Sequence, residues 1–180
     1  MKNSYANTAH PTTHLGFTIV ELLIVIVVIG ILAAISVVAY TGITNGANDA
    51  AVKSDMSNVA KFMEMYRAEK GTYPQNLGQL TSASVSRPRL TRGAYTGGGS
   101  NAIICVVPDG ANAAFAFVAT SKSGKRFYAT STVSPREYTG SWGGSADVCS
   151  GAGMAWSDPT RWGNWLTENN TVGWNDIFPG

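Results

Sequence analysis

An apolar run from Gly16 to Tyr40 constrains this chain more than any other feature; between Phe17 and Tyr40 the one ionisable side chain is Glu21, near the start. At about 1.5 Å of rise per residue, a helix of this length matches a hydrocarbon core of about 30 Å. Read alone, the run is a membrane-spanning helix with a costly carboxylate inside it. Such groups face other protein or find a partner, so Glu21 calls for one. An ordinary secretory signal has an apolar core of about 7–15 residues followed by a small-residue cleavage site. This run is longer and Glu21 interrupts its beginning, which argues against a discarded signal.

Residues 1 to 16 are polar and without periodicity, and Lys2 weakly favours a cytoplasmic N-terminal side. His10 and His14 have i, i+4 spacing, but Pro11 lies between them and the segment reads as a leader, so no metal site is expected. The 180-residue chain carries a net charge of +2 with 13% charged residues, which does not suggest an electrostatic nucleic-acid binder. The residues beyond the apolar run suffice for one small domain. Cys105 and Cys149 both lie there. If that side is external, both reach an oxidising compartment and a disulfide is expected; the alternative is two buried free thiols.

Beyond Tyr40 the helical pattern continues, with Gly42 and Gly46 forming a soft point at up to about 1 kcal/mol each. Val52, Met56, Val59, Met63 and Tyr66 then recur at steps of four and three, one apolar stripe of an amphipathic helix. Lys53, Asp55, Lys61, Glu64 and Arg67 lie off the stripe, and Asp49 with Lys53 has the spacing of a favourable i, i+4 pair. Lys70 and Gly71 form a stop signal, confirmed by Tyr73-Pro74. Residues 75 to 100 read as a loop with a short helical turn near Leu77 to Thr81. Arg87, Arg89 and Arg92 in it are read as a solvated loop, the sharper alternative being contact with DNA or an anionic surface. Gly97 to Gly99 lack the lysine and following helix of a phosphate loop.

Three strand-like runs come next, Ala102 to Val107, Ala113 to Thr120 and Arg126 to Thr132, joined by turn chemistry at Pro108-Asp109-Gly110 and Ser121 to Gly124. An antiparallel meander is expected, with Phe115, Phe117 and Ala119 on the face that covers the amphipathic helix. The chain after Pro135 is glycine-rich, with Cys149 stapling it to the first strand. All five tryptophans, Trp142, Trp156, Trp162, Trp165 and Trp174, lie in the C-terminal part. Ser157-Asp158-Pro159 reads as a helix start, predicting a helix from Pro159 to about Glu168 with Trp162, Trp165 and Leu166 on one side. Trp156, Trp162, Trp165 and Trp174 are then either core filling or an aromatic platform for sugars or a partner. Asn169-Asn170-Thr171 matches a glycosylation acceptor, a pattern common by chance. No catalytic constellation is present: both histidines lie in the leader, and Asp109, Asp147, Asp158 and Asp176 are scattered. No enzyme, cofactor or metal is expected.

The segment Gly16-Phe17-Thr18-Ile19-Val20-Glu21-Leu22-Leu23-Ile24-Val25-Ile26, continued by Gly30 to Ile35, resembles the prepilin motif of type IV pilins and pseudopilins. The resemblance implies cleavage after Gly16 by a membrane aspartic peptidase, N-methylation of Phe17, and pairing of Glu21 with the terminal amine of a neighbouring subunit. It also implies a long N-terminal helix packed on an antiparallel sheet, and often a disulfide near the C-terminus. The segment around Tyr66, Gly71, Tyr73 and Pro74 adds weaker support. Two departures stand out: His14-Leu15 replace the usual basic residues before the glycine, and Val38 stands where many pilins have a helix-breaking proline. Gly42 and Gly46 are expected to supply that flexibility.

The fold expected is therefore α+β: a leader at 1–16, a long helix at 17–70 whose first part (17–40) is membrane span and filament core, and a head at 71–180. The function implied is a structural subunit of a type IV pilus or similar filament. Its partners would be copies of itself or related pilins, the peptidase–methyltransferase, the membrane assembly machinery and, before assembly, the lipid bilayer; nucleic acid is not expected. It would sit in the inner or cytoplasmic membrane with its N-terminus inside, then in a surface or periplasmic filament. The alternatives are a pseudopilin or minor pilin of a secretion, DNA-uptake or adhesion system, and a membrane-anchored glycan-binding protein.

Overall fold

The longest element is α1, Ile19–Lys70. The computed structural model describes residues 16–97, 99–167 and 177–178, which form two units, one up to Thr41 and one from Gly42. In the first unit every residue from Gly16 to Thr41 is exposed in the isolated chain. The polar side chains within it turn back on their own helix: Ser36 Oγ donates to the Leu32 carbonyl (2.8 Å) and Thr41 Oγ1 to that of Val38 (2.9 Å). A helix that satisfies its own polar groups while presenting apolar side chains suits lipid. The helix runs through Gly42 and Gly46 without a break.

In the second unit the expected stripe is buried: Val52, Met56, Val59, Met63 and Tyr66, joined by Phe62. Each such side chain contributes about 1.5–3 kcal/mol on burial, far more than the helix propensities at stake. Gly71 ends α1 with φ +82 and donates to the Arg67 carbonyl at 2.8 Å, a left-handed cap that a side chain would strain. A short helix α2, Leu77–Thr81, follows where expected, capped by Asn76, whose side chain accepts from Gln79 N.

Among the described residues five antiparallel strands form one sheet in the order β4-β3-β2-β1-β5: β1 (Ser100–Val107), β2 (Ala114–Thr120), β3 (Arg126–Thr130), β4 (Arg136–Glu137) and β5 (Trp162–Thr167). The expected meander is β1-β2-β3, paired for example at Ile104 with Phe117 and Phe117 with Ala129. β3 is shorter than expected, because Thr130 N–H turns to the Val133 carbonyl. Strand alternation divides the core in two. Ala102, Ile104, Val106, Phe115, Phe117, Ala119, Phe127 and Leu166 pack with the stripe of α1. Ile103, Cys105, Val107, Ala116 and Val118 face the other way, under Tyr138, Val148, Cys149, Ala152 and Met154.

The C-terminal helix read from Pro159 to about Glu168 is not formed over its described residues, 159–167; Trp162–Thr167 make β5 instead. Asp158, read as a helix cap, closes a turn: its carboxylate accepts from Thr160 N (2.9 Å) and Thr160 Oγ1 (2.7 Å). The chain then enters the sheet beside β1, burying Leu166 and hydrogen-bonding a full strand edge. Trp162 and Trp165 thus point to opposite faces rather than to one. Asp55, read as lying off the buried stripe, is 3% exposed. Lys53 lies 4.7 Å from the Phe127 ring centroid, while Asp49 accepts a hydrogen bond from Ser123 Oγ. A short helix that no sequence signal marked, α3 (Ser145–Gly151), carries Cys149.

Candidate functional site

The beginning of α1 is built by a reciprocal cap. Thr18 N–H and Thr18 Oγ1–H both donate to Glu21 Oε2, at 2.9 and 2.8 Å, and Glu21 N–H donates to Thr18 Oγ1 at 3.2 Å. This is a capping box, which satisfies helix-start donors that would otherwise be orphaned. The Thr-Ile-Val-Glu spacing carries that signal in the sequence. One carboxylate oxygen is thereby engaged within the chain; Oε1 has no hydrogen bond among the described residues. Gly16 and Phe17 precede the helix in non-helical backbone, with the Phe17 side chain 83% exposed. The junction between them is accessible, and a charge at Phe17 N would lie one residue from the cap. Past Glu21, α1 is apolar enough to cross a membrane. His10 and His14 lie outside the described residues.

Cys105 on β1 and Cys149 on α3 are joined by a disulfide, with a Cα–Cα distance of 5.8 Å. It fastens the 138–156 segment over the outer face of the sheet. Tyr138 assists: its hydroxyl donates to the Ser141 carbonyl at 2.9 Å, a Cβ on Gly140 would collide with its ring and hydroxyl, and one on Gly151 with its hydroxyl.

The tryptophans are divided by the sheet. Trp162 packs at the edge of the helix-facing core, its Nε1 donating to the Pro74 carbonyl at 2.7 Å. Trp142, Trp156 and Trp165 lie on the outer face, all partly exposed. Trp142 and Trp165 meet edge to face at 5.3 Å, and Trp156 lies over Gly163 so closely that a Cβ there would sit 2.8 Å from its ring. Trp174 and the Asn169-Asn170-Thr171 acceptor lie outside the described residues.

Asp55, which no motif marks in the sequence, forms a buried polar cluster with Thr91 and Tyr95. Its carboxylate accepts from Thr91 N–H (2.6 Å), Thr91 Oγ1 (3.3 Å) and the Tyr95 hydroxyl (3.0 Å). Burial pushes the Asp55 carboxyl above its ordinary range, with those donors pulling back, and pushes the Tyr95 phenol well up. The cluster ties the 91–95 segment to α1. Of the loop arginines, Arg87 Nη1 reaches the Ile177 carbonyl at 3.4 Å and Arg89 is exposed; both line one shallow surface hollow with Lys61. Among the described residues no cluster of His, Cys, Asp and Glu could hold a metal.

Residues 13–37 match the family described as the prokaryotic N-terminal methylation motif. The chain is 40% identical over 67 residues to a type IV wide pilus major component of Thermus thermophilus, covering 37% of this chain and 51% of that protein. It is 34% identical over 76 residues to type II secretion system core protein G of Klebsiella pneumoniae, covering 41% and 54%. It is 31% identical over 77 residues to the protein of the same name in Pseudomonas aeruginosa, again covering 41% and 54%. The chain spans about half the length of these relatives. They bear out the resemblance to type IV pilins and pseudopilins read from the N-terminal segment.

Proposed function

We propose that this chain is a structural subunit, not an enzyme, of a type IV pilus or pilus-like filament, made as a membrane-anchored precursor. In this reading the leader ends at Gly16, the peptidase–methyltransferase cuts there and methylates Phe17, and 17–40 is first anchor and then filament core. The observation that carries the proposal is the methylation motif over residues 13–37 on a helix whose N-terminal part is apolar, exposed and interrupted by one acid. In lipid that surface is at home. After extraction it needs other helices, and repeated head-to-tail contacts between identical copies give an open helical polymer.

Glu21 then pairs with the terminal amine of a neighbouring subunit. A carboxylate engaged by Thr18 through one oxygen retains capacity for a charged donor. Orientation follows the same logic, with the N-terminal side cytoplasmic and the head outside, where the Cys105–Cys149 bridge persists. The similarity to both a pilus component and secretion-system core proteins favours two variants of the reading, a major pilin and a pseudopilin or minor pilin.

Mass spectrometry of protein sheared from cell-surface filaments tests the proposal. The expected species begins at N-methylated Phe17 and contains the disulfide. A chain retaining residues 1 to 16 in assembled material overturns the cleavage assignment. Abundance as the main filament component separates major pilin from pseudopilin.

A further inference from the structure

The end of the head where α1 enters it, just past Gly42, carries cations that lie far apart in the sequence. Asp49 accepts a hydrogen bond from Ser123 Oγ, which fixes the β2–β3 turn against the first part of α1 within the head. Further along α1, Asp55 accepts from Thr91 and Tyr95 and holds the 91–95 segment. The two segments also join directly: Lys122 N–H donates to the Ala94 carbonyl at 2.7 Å, and Tyr95 bridges Ser121. The turn itself is closed by Ser121 N–H donating to the Lys125 carbonyl (2.8 Å) and Gly124 N–H to that of Ser121 (2.9 Å). Arg92, Lys122 and Lys125 are thereby placed at one end of the head, all exposed, with Lys53 exposed on the adjoining part of α1.

None of these four forms an ion pair among the described residues. Of the acids beside them, Asp55 is enclosed and Asp49 is engaged by Ser123. Glu137, opposite Phe127, is exposed and likewise without an ion pair among the described residues. At the other end of α1 the signs are mixed and matched: Lys70 pairs with Glu69 at 2.7 Å, and Arg67 and Glu64 meet at the Tyr73 hydroxyl, at 3.2 and 2.6 Å. Like charges gathered on a closed turn repel one another and are relieved by an anionic partner.

We propose that Arg92, Lys122 and Lys125, flanked by Lys53, dock the head on the anionic headgroups of the bilayer that holds its own anchor. The inference rests on the reading of 17–40 as that anchor, and the covalent link to it selects a lipid surface over other polyanions. Asp49 lies about 10 Å of helix beyond Gly42. The headgroup layer extends about 5–8 Å past the hydrocarbon, and the field of an anionic leaflet about 8 Å further at physiological salt. Nucleic acid or an acidic neighbour has to be recruited, whereas the bilayer surface stays within reach for as long as the subunit awaits assembly. Contact of the anchor with lipid is apolar; this one is electrostatic, made by the folded head, and given up when the subunit leaves the membrane. Of the three loop arginines only Arg92 takes part, since Arg87 and Arg89 line the hollow with Lys61.

The test places the full chain, one copy per disc, in lipid nanodiscs of phosphatidylcholine alone or with about 30% phosphatidylglycerol, and reads the acylation rate of each lysine by mass spectrometry. In anionic discs Lys122 and Lys125 should react at least about threefold more slowly than in neutral ones, because the docked ammonium groups are shielded and held protonated. Lys61 and Lys70, further along α1, should change less than twofold, and molar salt should abolish the difference. Arg92→Gln with Lys122→Gln should return Lys125 at least halfway to its rate in neutral discs with the thermal unfolding midpoint unchanged, whereas Lys61→Gln with Lys70→Gln should leave it slow. Equal rates in the two discs, slowing that persists in molar salt, slowing of all four lysines together, or a Lys125 rate indifferent to Arg92→Gln/Lys122→Gln each overturns the docking while leaving the anchor intact. A chain that does not insert into either disc overturns the anchor and the docking together.

Discussion

Glu21 Oε2 accepts two hydrogen bonds from Thr18, one from its backbone N–H and one from its hydroxyl, so the acid marked out for a partner in another subunit already holds together the start of its own helix. The observed cap and the proposed pairing thus fall on one side chain, and they can be separated. Glutamine serves in a capping box as glutamate does but carries no charge to meet an amine.

Glu21→Gln should therefore keep the helix start, insert normally and be cleaved, yet join filaments poorly. Filament yield after shearing, normalised to membrane-held protein, reads this out. Glu21→Ala, which loses both roles, should do no better. Wild-type yield from Glu21→Gln with a defect in Glu21→Ala would assign the residue to capping alone.

Gly42 and Gly46 sit in unbroken helix, and a Cβ at either meets nothing within 4 Å. Alanine at both should thus be tolerated by the free subunit and stabilise the helix by roughly 1 kcal/mol per site. If these glycines supply the flexibility that a proline at Val38 would have given, Gly42→Ala/Gly46→Ala should accumulate as processed membrane protein and form fewer or more fragile filaments. Normal filaments of wild-type shear resistance would dismiss that role.

The parts legible in the sequence were those where one periodicity dominates. The stripe from Val52 to Tyr66 and the alternation of Phe115, Phe117 and Ala119 each imply a face, and the two faces meet in one core. The stretch after Pro135 was harder because its structure is set by non-local contacts. Trp162 to Thr167 is a strand because β1 offers it an edge, and only pairing across the fold reveals that its tryptophans point opposite ways. Ser157-Asp158-Pro159 misled because a side chain that caps helices also closes turns. Asp55 looked like any surface acid on a helix; the Thr91 and Tyr95 donors that bury it come from 36 and 40 residues away. The Thr18–Glu21 box went unread, although Thr-Ile-Val-Glu has the i, i+3 spacing of such a cap.

Asp55 also makes a pH prediction with a definite sign. Burial raises its folded-state pKa above the ordinary carboxylate value, so the native state binds the proton more tightly than the unfolded chain does. Its contribution to stability is therefore greatest below the unfolded pKa and is lost as pH rises through the folded one. Asp55→Asn should flatten this descent, giving a stability difference from wild type that grows with pH across the acidic range and then levels off. Asp55→Ala, which orphans Thr91 N–H and the Tyr95 hydroxyl, should cost about 1–3 kcal/mol at neutral pH. Urea unfolding of the two variants from pH 3 to 7 checks both statements, and a difference that shrinks with rising pH would reverse the assignment.

The Cys105–Cys149 bridge closes 44 residues of chain, and on the chain-entropy account its loss costs about 4 kcal/mol. Its position predicts where the loss is felt. The bridge fastens the 138–156 segment over Ile103, Val107, Ala116 and Val118, whereas the helix-facing core is tied by side chains from α1 and the sheet. Cys105→Ser/Cys149→Ser should accordingly open the outer face first. Hydrogen exchange should quicken in α3 and in residues 138 to 156 well before it quickens in the second half of α1, and an environment-sensitive dye should find new apolar surface. Uniform acceleration across the whole domain would instead mean that the two sides of the sheet unfold as one unit.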